Sequence, residues 1–304
     1  MKHANRGSGP TGPPRHRQPA GPYAPEPIEL PTPPLLDAFP RGDDLQSMID
    51  CSRRIVFFGG AGVSTESGIP DFRSADGLYA SGGPIPPEVI LSRTYFREQT
   101  DEFFAFYREN VVHPEARPNA AHLKLAELER SGRLKAVITQ NIDGLHQAAG
   151  SVNVIELHGS VHRNRCAMCC KNYSLAWVYK AEGIPACPCG NIIKPDVVLY
   201  EEPLDSAVVA SAAKAIAGAD MLIIGGTSLE VYPAAGLVEY FRGRHLAIIN
   251  KVEPEGVEVL KKGKRGKRTL IIARPIGEVL AEIEATPMRP AGGVNGAGRG
   301  GQPA

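Results

Sequence analysis

The cysteines of this chain are concentrated in one short stretch, with five of the six between Cys166 and Cys189. Cys166 and Cys169 form a C-x-x-C pair, and Cys187 and Cys189 form a C-x-C pair after 17 intervening residues. Two close pairs across such a gap are typical of a tetrahedral zinc site with four thiolate ligands. A redox C-x-x-C motif would need only one pair, and Cys170 is an alternative partner for Cys166. A four-cysteine shell leaves no open position for water, so we predict a structural zinc ion.

A second chemical signal is the glycine-rich stretch "GGAGVSTESGIPDFR" (Gly59–Arg73), which follows the apolar run Ile55–Phe58. A glycine turn after a buried strand often holds a nucleotide. Gly60 and Gly62 fit the first two glycines of the dinucleotide fingerprint, but Thr65 stands where the third glycine would be. No strand ending in Asp or Glu follows at the usual distance. A hydride-transferring dehydrogenase is therefore disfavoured.

Predicted strands and helices alternate along the chain and must position these residues. Short apolar segments predict strands within 53–62, 135–141, 152–160, 220–228, 245–250 and 269–273. Helical spacing of apolar residues predicts helices within 119–134, 205–219 and 276–285, the second with Asp205 as N-cap. Apolar strands separated by helices favour an α/β fold, a Rossmann-like parallel sheet with helices on both faces.

Polar residues or glycines stand at the ends of five of the predicted strands. They are Gly60-Ala61-Gly62, Gln140-Asn141, His158, Thr227-Ser228 and Asn250. Ligands of open α/β sheets bind at the carboxyl ends of the strands. Any one of these groups could simply cap or turn the chain, but that explanation fits all five poorly. We therefore predict one binding site along this edge.

Composition sets limits on domain organisation and function. Pro- and Gly-rich tails at 1–40 and 286–304 are expected to be disordered, and a domain is expected over 41–285. Its Rossmann-like part would comprise about 41–79, 115–160 and 197–285. Two insertions at about 80–114 (helical) and 161–196 (the cysteine segment, a zinc ribbon) would form a smaller domain.

The net charge of +1 and few basic residues near the cysteines argue against nucleic acid. The chain has no apolar run long enough for a membrane span and no signal-peptide core, so we expect a cytoplasmic protein with no membrane association.

Five motifs in order resemble the sirtuins, NAD-dependent protein-lysine deacylases, and most closely their bacterial members. The motifs are "GVSTESGIPDFR", "TQNIDGLHQAAG" (139–150), "LHGS" (157–160), "PDVVLYEE" (195–202) and "GTSLEVYPAAGL" (226–237). The resemblance covers about Gly42–Ile283. It implies that nicotinamide leaves NAD as the acyl-lysine oxygen attacks C1′ of the ribose, and that the acyl group ends on ADP-ribose.

The resemblance also implies roles for individual residues. His158 matches the general base, while His122, His146 and His162 are expected to be structural. Asn141 matches the residue that holds an ordered water in the nicotinamide pocket. The residues expected to contact NAD are Gly60, Ala61, Gly62, Thr65, Phe72, Arg73, Gln140, Ile142, Asp143, Gly226, Thr227, Ser228, Asn250 and Ile276. Ile276 is the one placed against the adenine.

Val198 and Tyr200 match the residues that hold the acyl-lysine amide and stem. Most sirtuins read Phe-Gly-Glu where this chain has Tyr200-Glu201-Glu202, which puts the local loop conformation in question. Members that favour succinyl- or malonyl-lysine carry a Tyr-x-x-Arg near the position of Leu78, and no arginine lies between Leu78 and Ser92. We therefore predict activity on acetyl-lysine proteins or peptides and on longer neutral acyl groups.

Two other functions remain open at this point. A mono-ADP-ribosyltransferase or NAD glycohydrolase would share the same chemistry at C1′. A binding module with an inert nucleotide fold is disfavoured by the presence of His158 and Asn141.

Overall fold

The computed structural model describes residues 44–71, 77, 83–252 and 268–288. Phe72, Arg73, the predicted N-terminal tail and all but 286–288 of the predicted C-terminal tail lie outside these residues. The structure does not address the predictions made for them. Within the described residues, no helix has the length and apolar character that crossing a membrane requires.

A six-stranded parallel sheet forms the centre of the fold, as predicted. Its strands are β1 (Ile55–Gly59), β2 (Leu134–Thr139), β3 (Val154–Glu156), β7 (Met221–Gly225), β8 (His245–Ile249) and β9 (Arg268–Ile272). Their spatial order is β3-β2-β1-β7-β8-β9. Every residue of β1, β7 and β8 is buried, which explains why these strands read as continuous apolar runs.

Helices cover both faces of this sheet. One face packs against α1 (Leu45–Asp50), α5 (Ala120–Arg130) and α9 (Ile276–Ala281). The other packs against α8 (Ser206–Ala217) and a 3₁₀ segment, Ala234–Tyr240. The predicted cap of α8 is confirmed, because the Asp205 carboxylate accepts hydrogen bonds from the N–H groups of Ala207 and Val208. The short helix α6 (Leu145–Ala148) follows β2.

The two insertions pack together around a separate hydrophobic core. The first contributes α2 (Pro87–Ile90), α3 (Arg93–Glu98) and α4 (Thr100–Asn110). The second contributes α7 (Leu175–Lys180) and an antiparallel sheet of order β5-β4-β6, made of β4 (Gly159–Cys166), β5 (Asn172–Tyr173) and β6 (Ile193–Val197). Phe103, Phe104 and Tyr107 of α4 share this core with Cys166, Val178 and Ile193 of the cysteine segment.

One predicted element differs in the structure. The sequence predicted a single strand over 152–160, but the chain forms β3 in the large sheet, turns at Leu157 and His158, and begins β4 of the small sheet at Gly159. Gly159 has a φ of 77°, and a Cβ atom there would lie 2.0 Å from the Asp196 oxygen. His158 therefore stands where the chain passes from one sheet to the other.

Candidate active site

The carboxyl ends of the parallel strands are aligned in one row. Gly59 pairs in register with Thr139 on one side and Gly225 on the other, and Gly225 pairs with Ile249. The sheet order reverses between β1 and β7, so this pair of strands is the topological switch point at which α/β folds bind ligands. The polar residues predicted from strand ends therefore gather at this edge.

The glycine-rich turn after β1 packs against the turn after β7. The Gly60 N–H donates to the Gly225 oxygen at 3.3 Å, and the Gly62 N–H donates to the Gly226 oxygen at 2.8 Å. Gly226 has a φ of 60°, and a Cβ atom on Gly62 would lie 2.8 Å from its Cα. Only glycine permits this approach of two backbones. The stretch then continues as two 3₁₀ turns, Ala61–Val63 and Thr65–Ser67.

Amide and hydroxyl side chains connect these turns to the end of β2. The Gln140 Nε2 donates to Thr227 Oγ1 at 3.1 Å. The Asn141 Nδ2 donates to Ser64 Oγ at 3.0 Å, and the Ser64 hydroxyl donates to Asp143 Oδ2 at 2.6 Å. The carboxylate of Asp143 also accepts from the Leu145 N–H at the start of α6. This chain of bonds fixes the orientation of Asn141 and Asp143.

Ser64 is a residue that the sequence reasoning missed. It is 1% exposed and is the only described link between the Asn141 and Asp143 side chains. Its position inside the "GAGVST" motif was the signal that could have identified it.

One ring nitrogen of His158 makes a hydrogen bond to the protein backbone. Its Nδ1 lies 2.9 Å from the backbone oxygen of Gln140. A carbonyl can only accept, so Nδ1 carries the proton and Nε2 keeps its lone pair in the neutral ring. Burial lowers the pKa of His158 from its usual 6.5, and the hydrogen bond to Gln140 partly opposes this effect. Burial therefore favours the neutral imidazole, and the hydrogen bond to Gln140 fixes the tautomer in which Nε2 can accept a proton.

The segment that follows β6 runs directly past His158. The Val198 N–H donates to the His158 oxygen at 3.0 Å. Tyr200 pairs with the first insertion, because its N–H donates to the Leu91 oxygen at 3.0 Å and its oxygen accepts from the Arg93 N–H at 2.9 Å. We call Val198–Glu202 the β6 loop. It bridges the candidate base and the helical insertion.

Comparison with known proteins identifies this arrangement. The profile of the Sir2 family matches residues 60–233. A protein from Clostridium acetobutylicum named "NAD-dependent protein deacetylase" is 53% identical over 79% of this chain and 97% of its own length. One of the same name from Cutibacterium acnes is 58% identical over 69% of this chain and 87% of its own length. The chain belongs to the Sir2 family.

Solved Sir2 structures agree with this assignment. One holds a histidine-to-alanine variant with deacetylated p53 peptide and 3′-O-acetyl ADP ribose; it is 35% identical, has a TM-score of 0.69, and matches 77% of this chain and 94% of its own. A Sir2 structure with p53 peptide and NAD⁺ is 36% identical, has a TM-score of 0.65, and matches 77% of this chain and 92% of its own. The sirtuin resemblance and the predicted α/β fold class are thus confirmed.

In this Sir2-family chain, the family resemblance assigns Thr227, Ser228 and Asn250, which follow β7 and β8, to the adenosine half of NAD, and Ile276 after β9 to its adenine. Asn250 Nδ2 donates to the Thr227 oxygen at 3.4 Å and to the Val252 oxygen at 2.8 Å, so the end of β8 is tied to the turn after β7. Ser228 is half-buried. Ile276 is 2% exposed and packs in the core directly beneath Gly225. A contact between Ile276 and adenine therefore stays a prediction.

The four predicted zinc ligands meet in space. The Sγ atoms of Cys166, Cys169, Cys187 and Cys189 all lie within 4.8 Å of one another. The Cys166–Cys189 and Cys169–Cys187 distances are 3.4 Å and 3.5 Å, against about 3.8 Å between sulfurs in a tetrahedral site with Zn–S bonds near 2.3 Å. Cys170 is exposed, and its Sγ is instead 4.0 Å from the Met168 oxygen. The cluster fits a structural zinc ion.

Two buried histidines lie behind the Asn141–Ser64–Asp143 network. The rings of His122 and His146 are 4.7 Å apart, and both are almost fully buried. Burial lowers the pKa of His122 to about 4, which Asp143 partly opposes. Burial and the neighbouring His122 lower the pKa of His146 to about 3. Both rings are therefore neutral at physiological pH, as expected for structural histidines.

Proposed function

We infer that this chain is an NAD-dependent protein-lysine deacetylase that uses His158 as its general base. The observation that carries the assignment of the base is the Nδ1–Gln140 hydrogen bond, which leaves the Nε2 lone pair of a partly buried, neutral imidazole available at the switch point of the sheet. The family and the names of its relatives support the reaction class.

NAD would bind along the aligned strand ends. The Gly60–Thr65 turn and the Gly226–Ser228 turn lie side by side at the switch point. Gln140, Asn141 and Asp143 offer amide and carboxylate groups there, each oriented by a hydrogen bond to a neighbouring side chain. The donor set suits a ligand with ribose hydroxyls and a carboxamide. When bound, NAD supplies the ribose C1′ that accepts the acyl oxygen. Ile142 would contribute the apolar wall of the nicotinamide pocket, with Asn250 and Ser228 on the adenosine side.

The β6 loop would hold the acylated lysine beside His158. Val198 is anchored to the His158 backbone, so an amide bound to the Val198 carbonyl would lie close to the base. Tyr200 is 40% exposed and offers an apolar surface for the lysine stem. Recognition through main-chain groups of an extended loop reads little of the peptide sequence. Acetylated proteins or peptides are therefore the proposed substrates.

Neutral acyl groups, acetyl and longer ones, are the proposed specificity. The nearest arginines after Leu78, Arg93 and Arg97, are exposed on α3. A Sir2 structure with a propionylated peptide is a neighbour of this fold. We expect an acetyl-lysine peptide to be turned over, a propionyl-lysine peptide to be tolerated, and a succinyl-lysine peptide to be rejected.

The decisive experiment measures nicotinamide release from NAD by the full-length protein with and without an acetyl-lysine peptide, beside His158→Ala. Release that requires the peptide, yields O-acetyl-ADP-ribose and is lost in the variant supports the deacetylase. Equal release without peptide would instead indicate an NAD glycohydrolase, and label transfer from NAD to protein an ADP-ribosyltransferase. Binding to nucleic acid is not expected, and the cytoplasmic location stays a prediction from the sequence.

A further inference from the structure

Glu201 occupies an unusual position in the β6 loop. Its φ is 71°, in the left-handed region that favours glycine, and the sirtuin pattern indeed expects glycine here. Its carboxylate reaches α3 of the helical insertion. Oε2 accepts from the Thr94 N–H at 3.0 Å and from Thr94 Oγ1 at 2.7 Å. These bonds lower the pKa of Glu201, so the carboxylate is ionised at neutral pH.

The β6 loop satisfies two of the first three N–H groups of α3. The Arg93 N–H donates to the Tyr200 oxygen, and the Thr94 N–H donates to the Glu201 carboxylate. The third, of Tyr95, is capped within the helix by Ser92 Oγ at 3.1 Å. The first N–H groups of a helix have no partner inside the helix, so α3 depends on the loop for two of its caps. The contact is reciprocal, because it also fixes the loop.

We propose that Glu201 is a positioning residue for the acyl-lysine peptide, which latches the β6 loop to the start of α3. This proposal rests on the proposed function. The latch includes a side-chain contact that a glycine at this position could not make. Glu201 directly follows Tyr200 and lies three residues after Val198. Its contact with Thr94 therefore holds the half of the loop that is farthest from His158.

Other contacts, including one made by the Glu202 side chain, hold the start of the loop at Val198 and Leu199. Val198 is tied to His158, and Glu202 Oε2 accepts from the Leu199 N–H and the Lys194 ammonium group, each at 3.0 Å. Loss of the Glu201 carboxylate should therefore loosen Tyr200 while leaving the base and the NAD-binding edge in place. The peptide KM should change, and the NAD KM should not.

The experiment compares Glu201→Ala, Glu201→Gly and Glu201→Gln in the full-length, zinc-loaded protein. Steady-state deacetylation is measured with peptide varied at saturating NAD, and then with NAD varied at saturating peptide. For the alanine variant we expect the peptide KM to rise about three- to tenfold, the range for loss of a helix-capping carboxylate, with kcat and the NAD KM almost unchanged. The glutamine variant keeps an acceptor for Thr94 and should recover most of the wild-type peptide KM.

The glycine variant distinguishes the effect of losing the carboxylate contact with Thr94 from the effect of relieving backbone strain at residue 201. Glycine adopts this φ freely but lacks the carboxylate, so it should resemble alanine if the latch matters. A wild-type peptide KM in Glu201→Gly would overturn the proposal, as would an equal rise of both KM values in Glu201→Ala. Glu98→Ala, the same change at an exposed position on α3, is the matched control. Absence of peptide-dependent turnover in the wild type would refute the deacetylase itself; an active wild type with unaffected Glu201 variants would refute only the latch.

Discussion

The imidazole of His158 donates through Nδ1 to the backbone oxygen of Gln140, 2.9 Å away, at the point where the chain leaves the large sheet. This bond connects the proposed base to the end of β2, whose next residues form the proposed nicotinamide pocket. Orientation and tautomer of the base are thereby set by the backbone.

The pH dependence of the reaction should reflect the buried environment of His158. The base is inactivated when it is protonated, so activity falls as the pH is lowered through its pKa. Because burial lowers that pKa, the acidic limb of kcat/KM should lie below pH 6.5. A pH–rate profile with a saturating second substrate measures this limb. A limb at or above pH 6.5 would contradict the assigned environment.

Ser64→Ala should impair catalysis and also cost stability, because the Asp143 carboxylate loses a donor within the folded protein. The substitution removes the donor to Asp143 and the acceptor for Asn141. Hydrogen bonds to charged groups contribute about 1.5–3 kcal/mol, so kcat/KM for NAD should fall roughly tenfold or more. Ser131→Ala is the control, since the Ser131 hydroxyl donates to the Leu128 oxygen where α5 ends, away from the candidate site. Equal kcat/KM values in the two variants would refute the role of Ser64.

Gly159→Ala should destabilise the protein and misplace His158. A Cβ atom would collide with the Asp196 oxygen, and alanine is strained at a φ of 77°. We expect the free energy of unfolding to fall by about 3 kcal/mol or more. Gly68→Ala provides a matched control, because Gly68 has a φ of 81° with no atom within 4 Å of the added Cβ. The control should lose only about 1 kcal/mol in a denaturant titration. Similar losses in both would show that backbone strain alone is responsible.

Zinc removal should change the fluorescence of Trp177, the only tryptophan of the chain. Its ring lies 5.3 Å from Tyr173, whose hydroxyl donates to Cys187 Sγ. A chelator should therefore shift the emission and release about one zinc per chain. Cys189→Ser should lose the metal, while Cys170→Ser should retain it. Retention by the first variant and loss by the second would reassign the ligands.

Acidification should unfold the protein partly through the buried histidine pair. In the unfolded chain, His122 and His146 bind protons near pH 6.5; in the folded protein they do so only near pH 4 and 3. Stability should therefore be complete above pH 6.5 and fall as the pH is lowered towards 4. Between these values His146→Leu should reduce the slope by about 1.4 kcal/mol per pH unit. An unchanged slope in denaturant titrations at several pH values would contradict this account.

Much of the fold could be predicted from local sequence. The apolar runs of β1, β7 and β8 and the cap Asp205 all lie where the sequence placed them. The break at His158 could not be predicted, because hydrophobicity continues across it and only the long-range contact of Gly159 with Asp196 reveals the change of sheet. The apolar residues at helical spacing that predict α5 include Leu123, which is nevertheless 53% exposed.

The residues of the candidate site could likewise be predicted only in part. Strand-end polar residues and the cysteine pairs could be found from spacing, since strand ends converge and close thiol pairs share a metal. Glu201 could not, because its importance comes from Thr94, a partner far along the chain. Ser64 lies in a motif that the sequence marks, but its hydrogen bond to Asp143 is seen only in the structure.

The common core of the two insertions has a consequence for enzyme engineering. Aromatic residues of α4 fill the space beside Cys166 and Ile193, and Arg108 donates to the Val178 oxygen at 3.2 Å. A cysteine segment transplanted alone into another scaffold would lack the α4 side chains that pack against Cys166 and Ile193. The helices transplanted alone would expose Phe103 and Phe104 to solvent. Chimaeras designed to exchange acyl selectivity should therefore swap both segments together, although they lie far apart in the gene.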